Sequence, residues 1–202
     1  SFHKGNPDVF AQDLTTGSRN RIAGYPGLNT GAALSPDGRM LALILSKAGS
    51  PDVYVGAADG TGLRRFTRTR ELEATPTWSA DGRTLCFVSR ASGKSALYTM
   101  SASGGPMTRL PTTGVYNATE PDWSPDGKWI AFTTQRGGGF EICVVEAGGG
   151  TVTSLVEGEN PSWAPNSRTL VFVKRRGRNQ RVLSLLDVPT KHVKDVRQFA
   201  GS

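Results

Sequence analysis

Cysteine and histidine are scarce in this sequence, with two of each among 202 residues. Cys86 and Cys143 lie inside short apolar runs, so we predict buried free thiols that pack as small hydrophobic side chains. Two cysteines do not make the dense disulfide framework of small secreted domains. His3 and His192 lie near opposite ends of the chain. Because histidine, cysteine and carboxylate side chains do not cluster, the sequence predicts no metal site and no cofactor.

Long hydrophobic runs and catalytic motifs are also absent. No apolar stretch approaches the roughly 20 residues that span a bilayer, so we expect no membrane insertion. No Gly-x-Ser-x-Gly motif supplies a nucleophile, and His192 fits a surface side chain better than a general base. The glycine runs 137–139 and 148–150 lack the Lys-Ser/Thr pair and the following helix of a phosphate loop, so hairpin turns are predicted there. These absences favour a binding protein over an enzyme.

A four-residue corner recurs through the chain at spacings of 44, 45 and 40 residues. Its copies are Ser35-Pro36-Asp37-Gly38, Ser79-Ala80-Asp81-Gly82, Ser124-Pro125-Asp126-Gly127 and Ala164-Pro165-Asn166-Ser167. Each corner follows a bulky residue and precedes an apolar run, and a second strand pair completes each repeat. Four strands, A to D, in a little over forty residues are typical of one β-propeller blade.

The corner has a local chemical explanation. Proline presets φ at the first central position, aspartate caps the turn, and glycine takes the positive φ. The last copy lacks the glycine, and we expect Asn166 to preserve the turn because asparagine tolerates the left-handed region. Trp78, Trp123 and Trp163 recur with the repeat, which predicts that they fill the space between blades. Trp129 aligns with smaller residues and is expected to be partly exposed.

The repeats divide the chain into one partial and four complete blades. The predicted boundaries are 7–24 for the partial blade, then 25–69, 70–113, 114–157 and 158–197. The partial blade holds only an outer C–D pair. We expect its inner hairpin to come from a longer protein or another segment, because unpaired strand edges would otherwise be exposed. The predicted fold class is all-β, a β-propeller of four-stranded antiparallel blades of which the chain covers about four and a half.

The charge pattern points to one rim of this propeller. The net charge of +7 favours anionic partners. The D–A and B–C connections should share a rim with an acidic centre and a basic surround. The centre includes Glu73, Glu120, Glu157 and Glu159, and the basic rim consists of Arg136, Lys174, Arg175 and Arg176. The basic run 174–181 lies in a hairpin without interleaved aromatic residues, which argues against nucleic acid as the partner.

The sequence resembles the TolB family of the Tol–Pal envelope system, with its PD40-type, WD40-like repeats. The resemblance covers essentially the whole chain. It is carried by residues 121–132, by the segments 5–10 and 49–54, by Asn117-Ala118-Thr119-Glu120-Pro121 and by Tyr25-Pro26-Gly27-Leu28-Asn29. The small α/β domain that precedes the propeller in this family has no counterpart here. PD40 repeats also occur in propellers of prolyl-oligopeptidase-like peptidases.

The resemblance implies a non-catalytic, periplasmic interaction propeller that forms part of a six-bladed ring. It implies that the peptidoglycan-associated lipoprotein Pal is the partner. The implied contacts are Thr119, Glu120 and Pro121, with Thr75, Pro76, Asn160 and Pro161 at equivalent positions of other blades. Two alternatives stay open: the propeller domain of a prolyl-oligopeptidase-like peptidase whose catalytic domain lies elsewhere, and a basic scaffold that binds an anionic polymer.

Overall fold

A computed structural model describes residues 2–3, 6–176 and 180–196, and every regular element in these ranges is a β-strand. The strands are β1 (Phe2–His3), β2 (Asn6–Pro7), β3 (Val9–Gln12), β4 (Arg19–Ala23), β5 (Asn29–Leu34), β6 (Met40–Leu45), β7 (Asp52–Ala57), β8 (Arg64–Arg65), β9 (Glu73–Trp78), β10 (Thr84–Ser89), β11 (Ala96–Ser101), β12 (Thr108–Arg109), β13 (Thr112–Thr113), β14 (Ala118–Trp123), β15 (Trp129–Arg136), β16 (Gly139–Glu146), β17 (Gly150–Thr151), β18 (Thr153–Glu157), β19 (Glu159–Trp163), β20 (Thr169–Arg176), β21 (Gln180–Asp187) and β22 (His192–Asp195). The all-β prediction is confirmed. None of the described residues forms a helix long and apolar enough to cross a membrane.

Four sheets of four antiparallel strands follow one another along the chain. Their strand orders are β5-β6-β7-β8, β9-β10-β11-β12, β14-β15-β16-β18 and β19-β20-β21-β22. Each therefore has the sequential A-to-D arrangement that the repeat predicts. The predicted isolated C–D pair is the two-stranded sheet β3–β4, and β1–β2 and β13–β17 form two further short pairs. The segment boundaries at residues 5 and 197 and residues 177–179 of the basic run lie outside the described residues.

The chain divides into two compact units, residues 1–110 and 111–202. In unit 1, one face of the first complete sheet packs on the second through Ile44, Val53 and Phe87, among others. The opposite face packs on the β3–β4 pair through Leu43 and Ala23. Because β6 is covered on both faces, its sequence is a continuous apolar run instead of an alternating pattern.

Unit 2 is built in the same way. Ile142 and Val144 of the third sheet pack against Trp163 and Phe172 of the fourth. The core positions predicted for Trp78 and Trp163 are confirmed, since both are buried. Trp123 is only half-buried, and its Nε1 donates to the carbonyl of Gly127 at 3.2 Å.

The first three corners share one hydrogen-bonding pattern. In the first, the Ser35 hydroxyl donates to Asp37 at 2.5 Å and accepts from the amide of Met40 at 2.9 Å. The carboxylate of Asp37 also accepts from the amide of Arg39. The serine hydrogen bond, followed by that amide, holds the pKa of Asp37 below its usual value. The corners at Asp81 and Asp126 repeat these bonds, so the motif is a structural turn.

The fourth corner corrects one prediction. Asn166 does not take the left-handed conformation; its side-chain oxygen replaces the aspartate and accepts from the amides of Arg168 and Thr169. Ser167 takes the left-handed conformation instead, with φ at 53°. Its hydroxyl accepts from the amide of Asp126 in the preceding corner at 2.9 Å. A hydrogen bond between neighbouring sheets thus compensates for the strained backbone.

Substitutions at Ser167 should separate these two effects. Ser167→Gly removes about 1 kcal/mol of backbone strain and a hydrogen bond of similar strength, so we expect little change in the free energy of unfolding. Ser167→Ala keeps the strain and loses the bond, so it should be about 1 kcal/mol less stable than Ser167→Gly. Urea denaturation measures both, and equal stability of the two variants would contradict this explanation.

Candidate partner-binding face

The first strand of every complete sheet carries a β-bulge at the same place. Between Thr119 and Asp122 the third sheet's first strand advances three residues, while its neighbour advances two, from Thr133 to Ala131. The other three sheets show the same shift. One residue in each bulge has positive φ: Gly31 at 62°, Thr75 at 44°, Glu120 at 55° and Asn160 at 56°. We call these four the bulge residues.

Three bulge residues adopt a conformation that costs most non-glycine residues about 1–2 kcal/mol and costs asparagine less. Each of the three precedes a buried proline, Pro76, Pro121 or Pro161. Proline has no N–H to donate to the sheet, so it fits where the bulge interrupts the ladder. Burial means that these prolines shape the strand and present little surface to a partner. Strained conformations of this kind cluster at binding sites.

In unit 2, Glu120 links two sheets. Its Oε2 accepts a hydrogen bond from the Thr133 hydroxyl at 2.7 Å and from the backbone amide of Asn160 at 2.9 Å. Asp122 makes a second link, since its Oδ2 accepts from the amide of Trp163 at 2.6 Å. The carboxylate of Glu120 therefore fixes the bulge of the next sheet in addition to any contact with a partner.

Unit 1 has no such carboxylate at the equivalent position, because the residue is Gly31. A Cβ there would lie 3.2 Å from Cγ1 of Ile44 and 3.4 Å from Cδ of Pro76, so the two sheets pack closely. The link between them comes from Trp78, whose Nε1 donates to the carbonyl of Ala33 at 2.9 Å. The Thr75 hydroxyl is buried without a hydrogen-bond partner among the described residues.

The segments that lead into the bulges expose apolar side chains. We call residues 24–31, 68–75, 113–120 and 157–160 the lead-in segments. Leu28 and Leu72 in unit 1 are 36% and 41% exposed, and Tyr116 in unit 2 is 69% exposed. Tyrosine in particular is enriched at protein–protein interfaces. These exposed side chains were not predicted from the sequence. A large apolar residue in a connection between two sheets could have indicated them.

A cavity of about 440 Å³ in unit 2 adjoins the lead-in segment 113–120. Side chains of β15, β16 and β18 and the segment 113–117 line it. The lining includes Tyr116, Asn117, Thr134, Arg136, Glu141 and Ser154. Glu141 accepts from the Ser154 hydroxyl at 3.1 Å and lies 3.9 Å from Arg136. The cavity is thus polar, with its charged groups mostly paired.

The predicted acidic centre is only partly at the surface. Glu73 is 1% exposed, so its assignment to the rim was wrong; its carboxylate is held by hydroxyl groups inside unit 1. Glu159 is largely buried, with its Oε1 3.3 Å from Nη2 of Arg181. Glu120 is half-buried and Glu157 is exposed. The pattern of the sequence did not distinguish these glutamates because each one lies in or beside the connection between two sheets.

The basic rim residues mostly have partners within the chain. Nζ of Lys174 lies 3.4 Å from Asp195, and the guanidinium of Arg175 lies 5.9 Å from the centre of the Phe140 ring. Arg136 faces Glu141, as described above, and Arg176 is exposed. Two of the four rim charges, those of Lys174 and Arg136, are therefore close to a carboxylate.

The two thiols are buried, as predicted. Burial raises the pKa of Cys86 to about 12 and that of Cys143 to about 11. A thiol with so high a pKa is a poor nucleophile at neutral pH. No group of three or more histidine, cysteine, aspartate or glutamate side chains in the described part of the chain is arranged to hold a metal ion.

Comparisons with known proteins place the chain among propellers. TolB of Acinetobacter baumannii superposes on all of this chain with a TM-score of 0.88 and 27% identity, and the match covers 51% of that protein. A putative TolB of Agrobacterium tumefaciens has a TM-score of 0.81 at 22% identity, covering 93% of this chain and 73% of that one. A puromycin-hydrolysing peptidase of Mycobacterium tuberculosis shares the fold at 18% identity and a TM-score of 0.68. The predicted β-propeller is confirmed.

Sequence comparison agrees with the structural likeness. The Tol-Pal system protein TolB of Francisella tularensis is 36% identical over 69 residues, which are 33% of this chain and 16% of that protein. The chain thus matches only a part of these relatives, about half in the case of the Acinetobacter protein. The model of the TolB β-propeller domain family, PD40, matches residues 1–202. The chain therefore belongs to the TolB β-propeller domain family.

Proposed function

We propose that this chain is a non-catalytic interaction domain of a periplasmic Tol–Pal system and that it binds the lipoprotein Pal through its lead-in segments. In unit 2 the proposed contacts are Thr119, Asn160 and the ring of Tyr116. Thr75 and Leu72 occupy comparable positions in unit 1. Glu120 contributes its exposed edge and orients Asn160, while Pro76, Pro121 and Pro161 hold the bulges in shape.

The observation that carries this proposal is the recurrence of a strained residue beside exposed apolar side chains. A glycine at these positions would avoid the left-handed cost, as Gly31 does. Side chains at Thr75 and Glu120 instead keep that cost of about 1–2 kcal/mol each, and Asn160 keeps a smaller one because asparagine tolerates the left-handed region. At Glu120 the cost has a structural explanation, because the carboxylate accepts a hydrogen bond from the bulge of the next sheet. The exposed Asn160 makes no side-chain hydrogen bond among the described residues, so its side chain is available to a partner.

The two alternatives have less support. Likeness to the peptidase, at 18% identity, extends to the fold alone. An anionic polymer would need several free cations along a groove. Lys174, Arg136 and Arg181 are instead each within 4 Å of a carboxylate, at 3.4, 3.9 and 3.3 Å.

Binding to the soluble part of Pal, measured by calorimetry, tests the proposal. Asn160→Gly suits this test because glycine keeps the positive φ and the amide that Glu120 binds while it removes the side chain. We expect Asn160→Gly and Tyr116→Ala each to weaken binding about tenfold, as for side chains at the centre of an interface. Lys128→Ala is the matched control, since Lys128 is exposed on the corner after β14.

Two results would overturn the proposal in different ways. If the native chain shows no binding to Pal, the partner is wrong. If it binds but Asn160→Gly and Tyr116→Ala bind as tightly as the control, the face is wrong. Circular dichroism of each variant verifies that the sheets are intact.

A further inference from the structure

Two buried carboxylates in unit 1 share one hydroxyl group. Asp52 is 0% exposed and Glu73 is 1% exposed. The Thr67 hydroxyl lies 3.2 Å from Oδ1 of Asp52 and 3.2 Å from Oε2 of Glu73. A hydroxyl has one proton to donate, so it cannot satisfy both carboxylates if both are ionised.

The charge around the pair is unevenly distributed. The guanidinium of Arg65, from β8, lies 2.6 Å from Oδ2 of Asp52 on β7. Glu73 has no cation of its own among the described contacts; its Oε1 accepts from the hydroxyls of Thr69 at 2.7 Å and Ser89 at 2.9 Å. Among the described residues, Asp52 is the charged group that acts on Glu73, Arg65 lies on the far side of Asp52, and β10 contributes the neutral Ser89. An added proton therefore belongs on Glu73.

A proton on Glu73 completes the hydrogen bonding. The Thr67 oxygen already accepts from the amide of Val53 at 2.9 Å, which leaves one lone pair free. A protonated Glu73 would donate to that lone pair, and the Thr67 proton would then point to Asp52. In this state both carboxyl groups keep a hydrogen bond to the Thr67 hydroxyl, whereas two ionised carboxylates would have to share its single proton.

In the preceding blade a neutral side chain holds the lead-in segment at the equivalent position. Asn29 occupies the position equivalent to Glu73 at the start of its strand and is 2% exposed. Its amide nitrogen donates to the carbonyl of Tyr25 at 2.7 Å, and its oxygen accepts from the amide of Tyr25 at 3.0 Å. A neutral side chain therefore suffices to hold a lead-in segment at this position.

We propose that Glu73 carries a proton in the folded chain and that this proton locks the lead-in segment 68–75, which loosens as the pH rises and Glu73 ionises. Ionisation would place two negative charges across one hydroxyl and repel Glu73 from Asp52. Segment 68–75 is linked to the Glu73 carboxyl by the hydrogen bond from the Thr69 hydroxyl. The same hydroxyl accepts from the amide of Glu71 at 3.1 Å. This device is independent of the identity of the partner.

Burial, ahead of the opposing hydroxyl hydrogen bonds, raises the pKa of Glu73 above its ordinary value of 4.5, and the charge of Asp52 acts in the same direction. A carboxyl whose pKa is higher folded than unfolded binds more protons in the folded state. Its contribution to stability is therefore complete at pH below the unfolded pKa and is lost as the pH rises through the folded pKa.

Carbon-13 NMR of the glutamate side-chain carboxyls tests the proposal, with the Glu73 signal assigned by its absence in Glu73→Gln. We expect this signal to titrate with a midpoint above 4.5. Amide exchange in segment 68–75, corrected for intrinsic rates, should accelerate across the same pH range in the native chain but not in Glu73→Gln. A Glu73 signal that titrates at or below 4.5 would overturn the proposal. So would amide exchange in the segment with the same pH dependence in both proteins.

Should Glu73→Gln fold poorly, the native signal can be assigned from Ser89→Ala, which removes one hydrogen bond to the carboxylate and keeps Glu73 itself. Ser89→Ala should raise the midpoint further, because the lost bond favours the ionised form. A midpoint that falls or stays in place in this variant would contradict the assigned role.

Discussion

Trp78→Ala is expected to lower the free energy of unfolding by about 4 kcal/mol, the range for a large aromatic side chain removed from a core. Trp78 is 6% exposed and packs between two sheets of unit 1 with Ile44, Leu85 and Phe87. The substitution also removes the hydrogen bond to the carbonyl of Ala33. Urea denaturation followed by circular dichroism measures the effect.

Trp163 offers a matched comparison for the hydrogen bond alone. It occupies the same place in unit 2 and is 8% exposed, but its Nε1 is buried without a hydrogen-bond partner among the described residues. Trp78→Phe should therefore cost about 1–2 kcal/mol more than Trp163→Phe, which removes an unsatisfied donor. If the two phenylalanine variants lose the same stability, the hydrogen bond of Trp78 contributes nothing.

Glu120→Ala is expected to cost about 2–3 kcal/mol of unfolding free energy, because two donors lose a charged acceptor in a half-buried site. These donors are the Thr133 hydroxyl and the amide of Asn160. Glu120→Gly removes the same acceptor but relieves the positive φ, so it should be less damaging by about 1 kcal/mol. Thermal and urea denaturation of the two variants measure both effects.

Glu157→Ala is the control for this substitution, since Glu157 is an exposed glutamate at the end of β18. It should change the unfolding free energy by less than about 0.5 kcal/mol. Glu120→Ala as stable as this control would show that the carboxylate does not hold the neighbouring bulge. The result also affects binding studies, because a loss of affinity in a Glu120 variant combines a lost contact with a displaced Asn160.

The repeat in the sequence was enough to predict the sheets. The Ser-x-Asp corner makes its hydrogen bonds within six residues, so its sequence defines its structure. The apolar runs after each corner predicted the second strands because those strands are buried on both faces. The buried positions of Trp78 and Trp163 were also predictable, because a tryptophan that recurs once per repeat occupies the same place in the packing between sheets.

Features that depend on contacts between different strands or sheets could not be predicted in this way. Glu120, Thr75 and Asn160 were selected as contacts, but their left-handed backbone results from the bulge against the second strand. Ser167 keeps its conformation with the help of an amide 41 residues away. Glu73 resembled a surface glutamate because the hydroxyls that bind it come from two segments of the chain, residues 67–69 and the end of β10. Propensity and spacing describe one segment at a time and carry no information about contacts between residues that are distant in the sequence.

We expect Pal to bind at the lead-in segments 68–75 of unit 1 and 113–120 and 157–160 of unit 2. Hydrogen–deuterium exchange of the chain, with and without soluble Pal in excess, tests it most directly because it surveys the backbone without a choice of variants. Exchange should slow on binding in segments 68–75, 113–120 and 157–160, with no change at the corners 35–38 and 124–127. Protection of the corners in place of the lead-in segments, or an unchanged exchange pattern throughout, would contradict it.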